Sequence, residues 1–274
     1  MNIKKILIRL FKYTHKKFNL NSLNYNELNG MFFKKTIFKL LKKTEHEFLF
    51  ENGLTMRGIS FSSYNKDPFG YCLSNQEIEK FNIKKFESDL YTFYENEKEK
   101  KVKDYNNIFE KSKYNNYPIW SFSYPWENMS FDYKVKFYPK LVFQNRSDYL
   151  NNTTKYDSYN LYHKIFAKSH ANQFKTLINI IKIKGFNSNL QRPRVIILVK
   201  NDKWKWIMSG QGNHRAYILK FLGYKKIPVE IVSVIYYNKL KRMVSNKSTE
   251  YSLENIKKLF NLIFTGENIV RGIV

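Results

Sequence analysis

The chain has 274 residues, a formal net charge of +25 and a sequence pI near 9.8, with 43% apolar and 18% aromatic residues. That apolar share supports one large or two small domains with a real core, and it excludes a chain that is disordered throughout. A single cysteine, Cys72, excludes a disulfide framework and fits a reducing compartment, and no run approaches the roughly 18 apolar residues of a spanning helix.

The positive charge is carried by Lys far more than by Arg and is spread along the whole sequence. It implies affinity for polyanions in general and names no particular partner. At the start of the chain, Ile3, Ile6, Leu7, Leu10 and Phe11 fall at helical spacing among Lys4, Lys5, Arg9 and Lys12. Phe33, Ile37, Leu40 and Leu41 repeat the design among Lys34, Lys35, Lys39, Lys42 and Lys43. Both stretches predict basic amphipathic helices, which either pack on the protein's own core or lie on an anionic membrane surface through residues 1–43. No cleavable signal with a small-residue processing site follows Met1, so the expected location is cytoplasmic, with peripheral contact at the inner membrane face as an extension of it.

Residues 1 to about 92 predict a mainly helical segment, broken by a loop at 52–70 where Gly53, Gly58, Pro68 and Gly70 cluster. The charge run 95–103 reads as a solvated helix end or linker. We therefore expect a helical basic extension of unknown role over 1–115 and a second unit over 116–274. The stretch 117–129, rich in Tyr, Trp, Phe and Pro, fits neither periodic template. It predicts a structured loop whose rings either pack or stack on a base or sugar. Further on, Asn145, Arg146, His170 and Gln173 are polar candidates for facing a site.

The most informative segment begins at Trp204. Trp204, Trp206 and Met208 alternate with Lys205 and Ile207, the period of a half-buried strand ending near Ser209. Gly210 and Gly212 permit positive φ and close approach of backbone to a ligand. Ala216, Leu219 and Leu222 then recur at helical spacing, with Gly212 or Asn213 as N-cap, Gly223 at the C-terminal stop, and Pro228 opening another strand. A helix start of this kind gathers unpaired N–H groups and the positive end of the dipole, so it predicts an anion site, most naturally for phosphate. His214 and Arg215 sit in that first turn, and a planar guanidinium suits bidentate phosphate contact. The tail holds Leu253, Ile256, Leu259, Phe260 and Ile263 at helical spacing, predicting a last packed helix.

The run Gly212-Asn213-His214-Arg215, a short helix, Leu222-Gly223-Tyr224 and Ile227-Pro228-Val229 together resemble the signature of the ParB/sulfiredoxin superfamily. The resemblance extends upstream to a helix over 172–184 ending at Gly185, a loop through Gln191, Arg192 and Pro193, and a strand over 195–199. It implies an α+β fold, a small mixed sheet with packed helices, whose core spans about 167–234. It also implies a nucleotide site of the ATP type in which Ser209, Gly210, Gln211, Gly212, Asn213, His214 and Arg215 form the phosphate cradle, with Mg²⁺ and with His214 and Arg215 in the catalytic role. The reaction implied is phosphoryl transfer to a small hydroxylated or sugar-like acceptor.

The departures from the family pattern shape that reading. Asn213 stands where sulfiredoxin places its reactive Cys, so sulfinic acid repair is not expected. Partition proteins carry Glu-Arg-Arg where this chain has Asn213-His214-Arg215, and the kinase-like members open the loop with an acidic residue where this chain has Ser209. A nucleotide-gated DNA-binding protein is the less favoured alternative, because the residues past Tyr237 are too few for a full helix-turn-helix module. A non-catalytic accessory protein at a membrane face is the third.

Two phosphate motifs fail. Gly210-Gln211-Gly212 opens like the dinucleotide fingerprint, with Glu230 about twenty residues on, but Arg215 replaces the third glycine and too little chain follows for a doubly wound sheet. No Gly-Lys-Ser or Gly-Lys-Thr run occurs. Glu127, Asp132, Asp148, Asp157 and Glu230 stand as candidate acids, and the sequence does not rank them.

Overall fold

The computed structural model describes residues 46–97, 101–104, 115–117, 122, 124–126, 157–187, 192–241 and 251–266. They build an α+β fold around one mixed five-stranded sheet. Its strands are β1 (His46–Leu49), β2 (Gly53–Leu54), β3 (Arg194–Lys200), β4 (Lys203–Met208) and β5 (Lys226–Tyr236), in the order β1-β5-β3-β4-β2. β3 and β4 form an antiparallel hairpin with Ile197 opposite Trp206, β5 runs parallel to β3, and the two short strands close the edges.

Strand periodicity divides the core in two. Val195 and Ile197 of β3, Trp206 and Met208 of β4, and Ile227, Val229 and Ile231 of β5 face one apolar cluster. Ile196, Leu198, Ile207 and Ile235 face the other. With helices on both faces, β3 is buried on both sides, which is why its sequence is a continuous apolar run.

The first face is covered by α1 (Pro68–Ser74), α2 (Ile83–Glu97), α3 (Asp157–Lys184) and α4 (Asn213–Phe221); α5 (Leu253–Thr265) covers the second. In α3 the buried residues Ala167, Ala171, Phe174, Ile178 and Ile181 recur every three or four positions, so one stripe packs inward. Phe174 meets Phe86 of α2 with ring centroids 4.8 Å apart. Ser252 caps α5 by accepting from Asn255 N, and Ile256, Leu259, Phe260 and Ile263 form its buried stripe, as their spacing predicts.

Before residue 115 the described residues hold two short strands as well as the helices α1 and α2. Residues 46–54 supply two edge strands: Phe48 lies opposite Ile227, and Gly53 opposite Trp206, whose indole N–H donates to Leu49 O at 3.0 Å. Phe48, Phe50, Phe61, Phe69, Phe86 and Leu90 belong to the same cluster as the β3–β5 face, so the described part of 1–115 shares its core with the later residues. The strands escape sequence analysis because four and two residues are too short to establish a period. The amphipathic stretches within 1–43 lie outside the described residues. Of the aromatic loop, Phe122 and Tyr124 are buried in the second cluster and Trp126 contacts Phe260 of α5, so these rings pack on the face away from α4 and do not stack on a ligand beside it.

Candidate functional site

β4 ends at Met208, and the next four residues turn the chain into α4. Two backbone hydrogen bonds staple this turn to the start of β3: Ser209 N donates to Arg194 O, and Arg194 N donates to Gln211 O, both at 2.9 Å. Gly210 and Gly212 adopt φ of +91° and +82°. A Cβ on Gly212 would lie 2.5 Å from the Pro193 Cα, so the close pass of loop against backbone requires glycine there. A Cβ on Gly210 would meet nothing within 4 Å, because that residue faces open space.

Gly212 is the N-cap of α4, and no side chain hydrogen-bonds into the cap. The first bond of the helical ladder runs from Ala216 N to Gly212 O at 3.1 Å. The N–H groups of Asn213, His214 and Arg215 precede that ladder and carry the positive end of the helix dipole.

The start of α4 borders a cleft of about 620 Å³ lined by Phe69, His170, Asn172, Gln173, Thr176, Leu177, Gly210, Gly212, Asn213, His214 and Arg215. Five of the seven residues expected to form the cradle thus share one wall. Ser209 and Gln211 are not in that lining and instead use their backbone groups to close the turn. α3 forms the facing wall, bringing the candidates His170 and Gln173 to the site. Asn145 and Arg146 lie outside the described residues, as do Gln191, Glu127, Asp132 and Asp148. Glu230 pairs with Arg194 at 3.1 Å and is not in the cleft lining.

Sequence analysis missed Phe69, Asn172, Thr176 and Leu177. The α3 residues follow from helical spacing once His170 and Gln173 are taken together, whereas nothing local marks Phe69. Asp67 caps α1 by accepting from Phe69 N at 3.2 Å and pairs with the buried Arg57 at 3.2 Å, which fixes Phe69 beneath the cleft. Burial opposes the charge on Arg57, but Asp67, with Tyr94 and Tyr217, together outweigh it and raise its pKa.

The Phe69 ring meets His214 edge-on at 5.2 Å, and His214 also contacts Phe174 at 5.0 Å and His170 at 4.6 Å between centroids. Burial in this aromatic nest, then the neighbouring Arg215, pushes the His214 pKa down to about 4. Burial, then His214 and Arg57, lowers that of His170 to about 2. Both imidazoles are neutral at pH 7. Protonating His214 there costs about 4 kcal/mol at ~1.4 kcal/mol per pKa unit, so His214 offers a bound anion hydrogen bonding and not charge. The permanent positive charge on the cleft is that of Arg215, added to the α4 amides.

Among the described residues no group of three or more His, Cys, Asp or Glu side chains is placed to hold a metal ion, and none of those lining the cleft is a carboxylate. Mg²⁺ is commonly held by one or two carboxylates together with substrate phosphates. Among the described residues the lining supplies no such ligand, so a Mg²⁺ ion there would be held chiefly through the phosphates. Cys72 is buried in α1, and burial raises its pKa, which leaves a thiol unsuited to nucleophilic work. No helix among the described residues is long and apolar enough to cross a membrane. Compared with known protein families, curated proteins and solved structures, the chain matches none.

Proposed function

We propose that this protein binds a nucleotide of the ATP type in the cleft between α3 and α4, as a ParB/sulfiredoxin-like module, with its phosphates at the start of α4. The observation that carries the reading is a helix N-terminus left without a side-chain cap and facing a cleft that Arg215 also lines. The cleft volume of about 620 Å³ falls within the roughly 300–1,000 Å³ of small-molecule sites. Oriented amides and a guanidinium stabilise anionic oxygens without reorganising, because their geometry is set by the fold.

The reaction we propose is phosphoryl transfer to a small hydroxylated or sugar-like acceptor. The acceptor oxygen would attack the terminal phosphorus as the bond to the leaving phosphate breaks, with Arg215 and the α4 amides holding the equatorial oxygens. The hydroxyl proton would pass to solvent or to an oxygen of the transferred phosphoryl group, because His214, its pKa pushed down to about 4, resists protonation at pH 7 and orients the phosphate by hydrogen bonding instead. Calorimetric titration with ATP, ADP, CTP and GTP in the presence of Mg²⁺ tests binding. We expect saturable binding to the native chain and a loss of about ten- to a hundredfold in Arg215→Ala, the range for a hydrogen-bonded charge. Absence of binding, or binding indifferent to Arg215, defeats the proposal. Transfer of labelled γ-phosphate to a panel of polyols tests the reaction separately.

A further inference from the structure

The cleft presents several hydrogen-bond acceptors besides its anion-binding corner. On α3, Asn172 Nδ2 donates to Lys168 O at 3.0 Å, and Thr176 Oγ1 donates to Asn172 O at 2.9 Å. The Thr176 hydroxyl proton and one of the two Asn172 Nδ2 protons are thus used within the helix, so Thr176 Oγ1 faces a ligand as an acceptor and Asn172 offers its Oδ1 beside one remaining N–H. On the α4 side, Asn213 is 6% exposed, and its Oδ1 has no hydrogen-bond partner in the protein. The buried Nδ1 of His170, another residue of the lining, has no hydrogen-bond partner either and can donate or accept according to the tautomer. A buried acceptor without a donor is uncommon in a folded protein and marks a place where a ligand can complete the bonding.

These acceptors need a ligand rich in donors, and the charge distribution selects which kind. An ammonium group would face Arg215 and the positive end of α4, with no carboxylate in the cleft lining to offset the repulsion. Neutral O–H groups face no such penalty. Leu177 and Phe69 add an apolar surface suited to the C–H face of a sugar ring.

We infer that the cleft selects a phosphorylated ligand bearing a ribose-type diol, whose hydroxyls donate to the acceptor row of Asn172, Thr176 and Asn213 while its phosphate meets α4. This rests on the anion site proposed above and adds to it the residues that set specificity. The diol can belong to a nucleotide or to a free sugar phosphate.

Four probes separate these ideas: inorganic tripolyphosphate, ATP, 2′,3′-dideoxy-ATP and ribose 5-phosphate, each titrated into the native chain, Arg215→Ala, and a Thr176→Val/Asn172→Ala double variant. Thr176 and Asn172 are exposed on α3, so the double variant keeps the core intact, which an unchanged circular dichroism melt verifies. We expect tripolyphosphate to bind through Arg215, and ATP to bind about tenfold more tightly than its dideoxy analogue, the worth of one or two hydrogen bonds. The double variant should bring that ratio to about one without changing tripolyphosphate affinity. Ribose 5-phosphate matching ATP assigns the diol to a sugar phosphate; much weaker binding assigns it to a nucleotide. Equal affinity for ATP and the dideoxy compound, or a preference that survives the double variant, overturns the inference while leaving the anion site standing. Loss of Arg215-dependent tripolyphosphate binding removes both.

Discussion

Helices α1 and α4 begin within reach of the same ring, Phe69, and end their backbones in opposite ways. At α1 the chain supplies its own anion: Asp67 accepts from Phe69 N, and Arg57 neutralises the carboxylate out of contact with water. At α4 the equivalent position is Gly212, which has no side chain to give, and the first-turn amides face the cleft. A helix start that serves only to hold the fold is plugged from within. One kept open retains its affinity for an anion and leaves the stabilisation of those amides to whatever enters.

Removing the internal plug should have the largest effect. Asp67→Asn keeps a capping side chain for α1 but leaves the Arg57 charge buried without its carboxylate, and we expect a loss of about 3–5 kcal/mol in urea unfolding. A loss below about 1 kcal/mol would mean that water or another group compensates Arg57. At the open end, Gly212→Ala combines a strained positive φ with contact against Pro193 and should cost about 2–3 kcal/mol. Gly210→Ala strains φ but meets open space, so its cost should be nearer 1 kcal/mol. Equal costs at the two glycines would show that the close pass against Pro193 does not define the turn.

The pH dependence of stability sharpens the role of the histidines. Folded His170 and His214 have pKa values below the ordinary 6.5, so the unfolded chain binds more protons once the pH falls beneath that value. Stability should therefore decline from about pH 6.5 to pH 5, above the main carboxylate range, by up to ~1.4 kcal/mol per pH unit for each histidine. His170→Phe should remove about half of that slope in the pH dependence of urea midpoints. A flat profile would place both rings in contact with solvent.

The β4–α4 module was legible because its signals are local: alternation in 204–208, two glycines at forced φ, and a glycine stop at 223. The α5 helix was legible from spacing alone, with Ser252 as its cap. What could not be read locally is what comes from far along the chain. β1 and β2 are too short to show a period and are specified by hydrogen bonds to residues more than 150 positions away, such as the Trp206 indole on Leu49 O. Phe69 reaches the cleft floor only because the Arg57–Asp67 pair seats α1 against α4. The depressed pKa of His214 was not legible either, since burial among Phe69, Phe174 and His170 is a tertiary property with no trace in the first-turn sequence. The residues brought together from α3, by contrast, lay on one helical face and were half visible in His170 and Gln173.

The open start of α4 can be observed directly by following the backbone amide resonances while tripolyphosphate, then ATP, is added. We expect saturable shifts at Asn213, His214 and Arg215, absent in Arg215→Ala, with Asn255 at the side-chain-capped start of α5, on the far face of the sheet, unmoved. Shifts scattered over the surface lysines and missing from those three amides would contradict this.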